Sequence, residues 1–282
     1  MVHWSVGLRQ SLAENEYSLL TLFASNHAGP GNQNRNPIQF DKEQCLQSPP
    51  QSRKDLLLVT EIFYSLQGES RTMGYPTAFV RLTGCPLRCR YCDTRYAFHG
   101  GQPMSLDEIL TTVQTYRSGF VTVTGGEPLM QAPCRALITR LCDAGHQVSL
   151  ETSGVLPITA IDQRASIVMD LKTPGSGEVE RNRYENLAQL SAKDQVKFVL
   201  QDRRDYEWAK AKLREFHIPE RCEVLFLPVC NPVRHVVDSE SEMADAKTLP
   251  ARTLARWILA DRLPVRMQIQ LHKVLWGDAP GR

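Results

Sequence analysis

The 282-residue chain has no long apolar run. No stretch reaches the roughly 20 residues that a membrane-spanning helix requires, so no membrane role is expected. The apolar segment from Ser18 to Ala24 is too short for a signal peptide and lacks a charged lead-in. An excess of one charge sign is also missing. The formal net charge is +2, which gives no global basic field and no argument for a nucleic-acid ligand. Paired cysteine knuckles are missing outside one loop. Cys45, Cys134, Cys142, Cys222 and Cys230 are scattered, which fits a reducing cytoplasm and small, often buried residues. Cys134 and Cys142 stand eight apart on a predicted helix, a spacing that suggests a shared apolar face. His99, His235 and His272 show no ligand spacing and read as surface or loop residues. Large apolar residues are scarce from Asn26 to Arg53, where Asn, Gln, Pro, Ser and Gly dominate. Such a segment cannot offset its ordering entropy. Residues 1–55 are therefore expected to be a disordered N-terminal extension, with at most a marginal helix near Ser11 to Ala24. Residues 56–282 are expected to form the folded domain. Hydrophobic residues make up 42% of the chain, enough for a sizeable core.

What the chain does have is a cysteine triplet, Cys85, Cys89 and Cys92, in a single loop rich in Gly, Pro and Arg. Three thiolates in C-x3-C-x2-C spacing can hold three irons of a [4Fe-4S] cluster and leave the fourth open to a small molecule. A closed cluster normally takes four cysteines, so the missing fourth is informative. Structural zinc would call for a second Cys or His pair nearby, and none follows. Three structural cysteines remain a further alternative. About thirty residues on, Val121 to Thr124 read as a strand entering Gly125-Gly126-Glu127-Pro128. A diglycine at a strand end exposes backbone to a ligand. The segment resembles the Gly-Gly-Glu-Pro motif of radical S-adenosylmethionine (SAM) enzymes, whose backbone meets the methionyl amino group.

The remaining pattern alternates strands and helices. Strands are predicted at Leu57–Tyr64, Ala78–Leu82, Gln147–Leu150, Ile167–Asp170, Val196–Leu200, Cys222–Leu227 and Met267–Leu271. Ser105 to Glu108 is a capping box, and Ile109, Leu110, Val113 and Tyr116 mark one face of its helix. Further helices are predicted at Cys134–Ala144, stopped by Gly145, and at Arg203–Phe216 and Pro250–Arg262. This alternation predicts an α/β fold, a partial, splayed (β/α) barrel with a mostly parallel sheet. Sites in such folds gather at the C-terminal ends of the strands. The cysteine loop, Gly125-Gly126, Glu151 to Gly154 and Lys172 to Pro174 should therefore converge on one mouth.

Individual residues leave choices open. Tyr91 suits an adenine platform or packing beside the cluster. Asp93 can bond local backbone. Thr94 can ligate a hard cation such as Mg2+ or make an ordinary loop hydrogen bond. Asp170 and Lys172 point the same way, toward a cofactor ribose and carboxylate or as a surface pair. Glu151 is a ligand contact or a loop cap. Arg81, in an apolar strand, needs an anion, either a substrate carboxylate or an internal acid.

Taken together, Ser65-Leu66-Gln67-Gly68-Glu69, Phe79 to Cys85, Tyr91 to Thr94, Thr124 to Pro128 and Leu150 to Gly154 closely resemble the 7-carboxy-7-deazaguanine synthase (QueE) family. The resemblance runs from about Leu57 to Trp276. It implies conversion of 6-carboxy-5,6,7,8-tetrahydropterin to 7-carboxy-7-deazaguanine with loss of ammonia, as in queuosine and 7-deazapurine biosynthesis. The implied cofactors are a [4Fe-4S] cluster on Cys85, Cys89 and Cys92, SAM, and Mg2+ on Thr94. Substrate contacts are implied for Leu66, Gln67, Gly68, Glu69, Arg81 and Thr124. Cofactor contacts are expected at Tyr91, Asp93, Gly126, Glu151, Ser153, Asp170, Lys172 and Thr173. The resemblance also implies a homodimer and an electron donor such as flavodoxin or ferredoxin. Many relatives carry Gly where Ser70 stands here, a departure that concerns the conformation of that loop. Competing readings are a glycyl-radical-enzyme activase, which has no use for a small-acid reader, and a non-catalytic metal-binding module, which has no use for the diglycine.

Overall fold

The computed structural model describes residues 56–229, 249–277 and 279–281. The expectations for residues 1–55, His235, Cys45 and Cys230 fall outside them. Among the described residues nine strands form one sheet: β1 Leu56–Leu66, β2 Pro76–Leu82, β3 Gln102–Ser105, β4 Phe120–Gly125, β5 Gln147–Thr152, β6 Ser166–Asp170, β7 Gln195–Leu200, β8 Glu223–Pro228 and β9 Arg266–Met267. The helices are α1 Leu106–Thr115, α2 Cys134–Asp143, α3 Arg203–Glu215, α4 Ile218–Arg221, α5 Ala251–Asp261 and α6 Leu271–Trp276. The strand order is β3-β1-β2-β4-β5-β6-β7-β8-β9. From β2 to β9 every pairing is parallel, while β1 runs antiparallel to both β2 and β3.

Period-two alternation sorts the side chains of the parallel strands. Val80, Val123, Leu150, Met169, Phe198 and Phe226 enter the apolar core against the helices. Their neighbours Arg81, Thr124, Glu151, Asp170 and Lys197 line a cavity on the other face. The capping box closes as expected. Ser105 Oγ accepts from the Glu108 N–H, and Glu108 Oε2 accepts the Ser105 N–H at 2.7 Å. Cys134 and Cys142 are both buried in the core behind α2, and Gly145 ends that helix at φ +87°.

β1 departs from simple alternation. Val59 faces Leu82 and Glu61 faces Arg81, with Thr60 as the extra residue of a bulge. A bulge reverses the facing of everything beyond it. Leu57 and Val59 thus join the core, whereas Phe63, at the same parity, lines the cavity.

The antiparallel course of β1 also sends its C-terminal end to the far end of the sheet. The loop after it crosses beneath the strands as a floor. Gln67 Nε2 donates to Thr122 Oγ1 at 3.0 Å, Arg71 N donates to Gln195 Oε1 at 3.0 Å, and Gln268 Nε2 donates to the Ser70 carbonyl at 2.6 Å.

The predicted strand at Met267–Leu271 is corrected. Pairing stops at Met267, and Leu271 opens α6. The intervening Gln268 and Gln270 turn inward to bond the floor loop at Ser70 and Glu69, and this diverts the chain from the sheet.

Candidate active site

The cavity holds about 500 Å³, within the range of small-ligand sites. At one end stands the cysteine loop delivered by β2. Cys85, Cys89 and Cys92 all reach the wall as free, partly exposed thiols. Burial pushes the Cys85 thiol up, and pushes that of Cys89 up to about 11 although Lys172 opposes it. Such thiols give up their protons when a metal supplies positive charge. Among the described residues no three His, Cys, Asp or Glu side chains converge on a single-ion site. A cluster needs no such convergence, because each thiolate holds a different iron.

The diglycine packs directly on this loop. Glu127 N–H donates to the Gly84 carbonyl at 2.7 Å. A Cβ on Gly126 would stand 2.2 Å from that same oxygen and 2.7 Å from Cys85 Cβ, so only glycine fits there. Glu127 is fully buried. Its carboxylate accepts from Leu129 N–H at 3.1 Å, Thr152 hydroxyl at 2.8 Å, Ser153 N–H at 2.8 Å and Ser153 hydroxyl at 2.6 Å. These bonds fasten the Gly-Gly turn to the end of β5. The hydroxyl of Ser153 is thus already engaged.

Asp170 and Lys172 are the cavity pair rather than the surface pair, with Lys172 Nζ 3.0 Å from Asp170 Oδ2. Burial opposes the charge on Lys172, but Asp170, Cys89 and Tyr91 together hold the ammonium pKa above its usual value. Asp170 Oδ1 is buried with no hydrogen-bond partner among the described residues. A buried orphan acceptor at a cavity wall calls for a ligand donor, and a ribose hydroxyl or an amino group supplies one. Three thiols at one end, a glycine-lined turn beside them and this orphan acceptor fit a cluster with a bound SAM. Tyr91 lines the wall beside them, its hydroxyl donating to the Val199 carbonyl at 3.2 Å. Thr173 lies behind the wall, fully buried, donating to the same carbonyl at 3.2 Å. All the other residues singled out from the sequence as site residues line the cavity.

Another part of the wall is built on the floor loop. Gln67 is spent internally: Nε2 also reaches Glu151 Oε1 at 3.3 Å, and its Oε1 accepts the Glu69 N–H at 3.2 Å. Glu151 Oε2 accepts from Thr124 Oγ1 at 3.1 Å. Glu69 accepts from Lys197 Nζ and, at 3.0 Å, from Gln270 Nε2. Burial raises the Glu69 pKa, but Lys197 and His272 override it and hold the carboxyl below its usual range. Arg81 enters from β2, and its internal acid is Glu61, with Nε 2.7 Å from Glu61 Oε1. Thr94 Oγ1 lies 3.8 Å from Cys92 Sγ, at the edge of the cysteine loop.

His272 is corrected from a loop residue to a cavity residue. Its Nε2 lies 3.6 Å from Asp93 Oδ2, and Lys273 Nζ lies 4.0 Å from the same oxygen. Burial works against the Asp93 carboxylate, but His272, Lys273 and Arg81 hold its pKa well below the carboxylate range. The imidazole packs so closely on the floor that a Cβ on Gly68 would come within 2.3 Å of Nδ1. Lys197, Gln270, His272, Lys273 and Glu61 were not found from the sequence. α6 follows a two-residue strand, Lys197 sits in an otherwise apolar strand, and Glu61 depends on the bulge.

An α/β sheet with three thiols, a diglycine turn and a cavity lined by charges of both signs defines a radical SAM enzyme. The family model described as the radical SAM superfamily matches residues 79–172. The 7-carboxy-7-deazaguanine synthase of Chlorobaculum tepidum is 43% identical over 229 residues, spanning 80% of this chain and 97% of that protein. The synthase of Koribacter versatilis is 42% identical, spanning 77% and 96%. That of Methanospirillum hungatei is 36% identical, spanning 80% and 88%. The crystal structure of QueE from Escherichia coli superposes with a TM-score of 0.59 over 77% of this chain and 95% of that one, at 21% identity, and shows the shared fold. The chain belongs to the 7-carboxy-7-deazaguanine synthase family.

Proposed function

We propose that the chain converts 6-carboxy-5,6,7,8-tetrahydropterin to 7-carboxy-7-deazaguanine with release of ammonia. The observation that carries the reading is one cavity whose wall brings together the three thiols, Arg81 and the Leu66–Glu69 floor. When bound, the cluster supplies the electron that cleaves SAM to a radical able to take hydrogen from the pterin. The chain's own work is placement. Asp170, Lys172 and the Gly125-Gly126 backbone hold SAM against the cysteine loop. Gln67 and Glu151 fix the floor on which the pterin lies, with Leu66, Gly68, Glu69 and Thr124 around it. Arg81 would take the substrate carboxylate, and Thr94 would hold Mg2+, which would supply charge stabilisation for that carboxylate. Tyr91 faces the adenine. The closed floor keeps water from the reacting ring.

The same reading includes a cytoplasmic setting, a homodimer and an electron donor such as flavodoxin or ferredoxin. Among the described residues no helix is long and apolar enough to cross a membrane. Mass spectrometry of products from carboxypterin and SAM, after anaerobic reconstitution, tests the reaction. Thr94→Ala should lower product formation and flatten its Mg2+ dependence while iron content holds. SAM cleavage with no deazaguanine product would return the chain to the activase reading. No SAM cleavage in cluster-loaded protein would leave the metal-binding module.

A further inference from the structure

Arg81 meets the cavity with one edge of its guanidinium already engaged. Nε donates to Glu61 Oε1 at 2.7 Å, and the same oxygen accepts the Tyr96 hydroxyl at 2.8 Å. The Phe63 and Tyr96 rings flank the guanidinium carbon at 5.6 and 5.9 Å. The ion pair is well sheltered, with the two side chains 13% and 19% exposed. Glu61 is no part of the cavity wall, so it does not itself meet a ligand. It reaches Arg81 only through the Thr60 bulge, because in a regular strand it would share the helix face with Leu57 and Val59. A guanidinium pinned at Nε and held by two rings offers its paired Nη edge to the cavity. That edge matches a carboxylate in two-point geometry.

We propose that Glu61, with Tyr96 behind it, is the positioning residue that sets Arg81 for the pterin carboxylate and makes the enzyme discriminate carboxylated from uncarboxylated pterins. The inference rests on the Arg81 reading above. A bulge, a sheltered acid and two rings around one cavity arginine are more than neutralisation of a buried charge requires, since an acid alone would neutralise it.

The test is anaerobic calorimetric binding to protein loaded with cluster and SAM. The ligands are the carboxypterin and the same tetrahydropterin without its carboxylate. Wild type is compared with Glu61→Ala, Glu61→Gln, Tyr96→Phe and Arg81→Lys, and iron content and unfolding temperature are recorded for each. Glu61→Ala should weaken the carboxypterin by about tenfold, the scale of one charge-assisted hydrogen bond, and leave the uncarboxylated ligand within about twofold. Glu61→Gln, whose amide oxygen still accepts from Nε, should restore most of the loss, and Tyr96→Phe should show a smaller loss of the same kind. If Glu61→Ala does not fold, Tyr96→Phe is read in its place, with selective loss of the carboxypterin as support. Equal weakening of both ligands, or lower stability with carboxypterin affinity intact, overturns the positioning role while Arg81→Lys still loses the carboxypterin. Wild-type carboxypterin affinity in Arg81→Lys overturns the Arg81 reading itself, and the positioning role with it.

Discussion

The two faces of the parallel strands are built on opposite rules. On the helix face, Val123, Leu150, Met169 and Phe198 exchange no polar bonds and are held by packing. One residue away, Thr124, Glu151, Asp170 and Lys197 are charged or hydroxylated, each tied to a partner within the protein. The helix face is held by area removed from water and tolerates changes of shape within limits. The cavity face spends its burial on compensated charge, where loss of one member leaves another uncompensated. Stability is therefore carried by one parity of the strands and chemistry by the other.

That contrast can be broken at the cluster, where the expected effect is total. Cys89→Ala should abolish iron loading and SAM cleavage while circular dichroism stays that of the folded chain, since the helix face is untouched. Iron retained at full stoichiometry would refute the cluster assignment. On the helix face, Phe198 is fully buried, with the Phe226 ring 5.4 Å and the Trp208 ring 6.2 Å away. Phe198→Ala should cost about 3–5 kcal/mol in urea unfolding, with substrate affinity per folded molecule preserved. A variant that keeps its stability but loses the substrate would show the two faces to be coupled.

Lys197→Met probes the cavity face at a comparable size. It strands the buried carboxylate of Glu69 and should cost about 3–5 kcal/mol at neutral pH. Its pH dependence carries the sign. In the parent chain burial raises the Glu69 pKa, but Lys197 and His272 hold it low. That stabilisation is full above the ordinary Glu pKa of about 4.3 and is lost as pH falls through the lowered value. Without Lys197 burial loses its main opponent, the Glu69 pKa moves up, and protonation relieves the fold. The stability gap between the variant and its parent should thus shrink on going from neutral to mildly acid solution; a gap that widens would contradict the pairing.

The smallest effect is expected in the floor loop. Ser70 sits at φ +74°, where glycine is at ease, and its hydroxyl lies 3.1 Å from Thr72 Oγ1. Ser70→Gly should raise stability by less than about 1 kcal/mol, relief of backbone strain being offset by the lost side-chain bond. A large loss would mean that the Ser70 hydroxyl, more than the backbone, shapes the floor.

Much of this was legible in the sequence, because period-two strands declare both faces at once. Arg81 stood out as an ion in an apolar strand, and the cysteine and diglycine turns announced themselves by spacing. The paired acid of Arg81 did not, because Glu61 lies beyond a bulge that no local pattern marks. Lys197 carried the same mark as Arg81, a lone ion in the otherwise apolar run Val196–Leu200, but no motif beside it named a ligand for it to meet. Gln270, His272 and Lys273 were missed because the chain leaves the sheet after Met267, and inward glutamine bonds to a loop some two hundred residues earlier leave no periodic trace. Local signals predicted local structure; the cavity wall contributed by the C-terminal segment is a long-range agreement.

The bulge in β1 bears on how the gene can vary. Excision of Thr60 would leave a regular strand in which Leu57 and Val59 still meet the core and Glu61 and Phe63 still meet the cavity. A one-codon loss or gain elsewhere between Leu57 and Phe63 turns half of the strand inside out unless the irregularity moves to absorb it. Thr60 is thus the slack link of β1, the position at which lineages can differ in length by one residue without exchanging the two faces of the sheet.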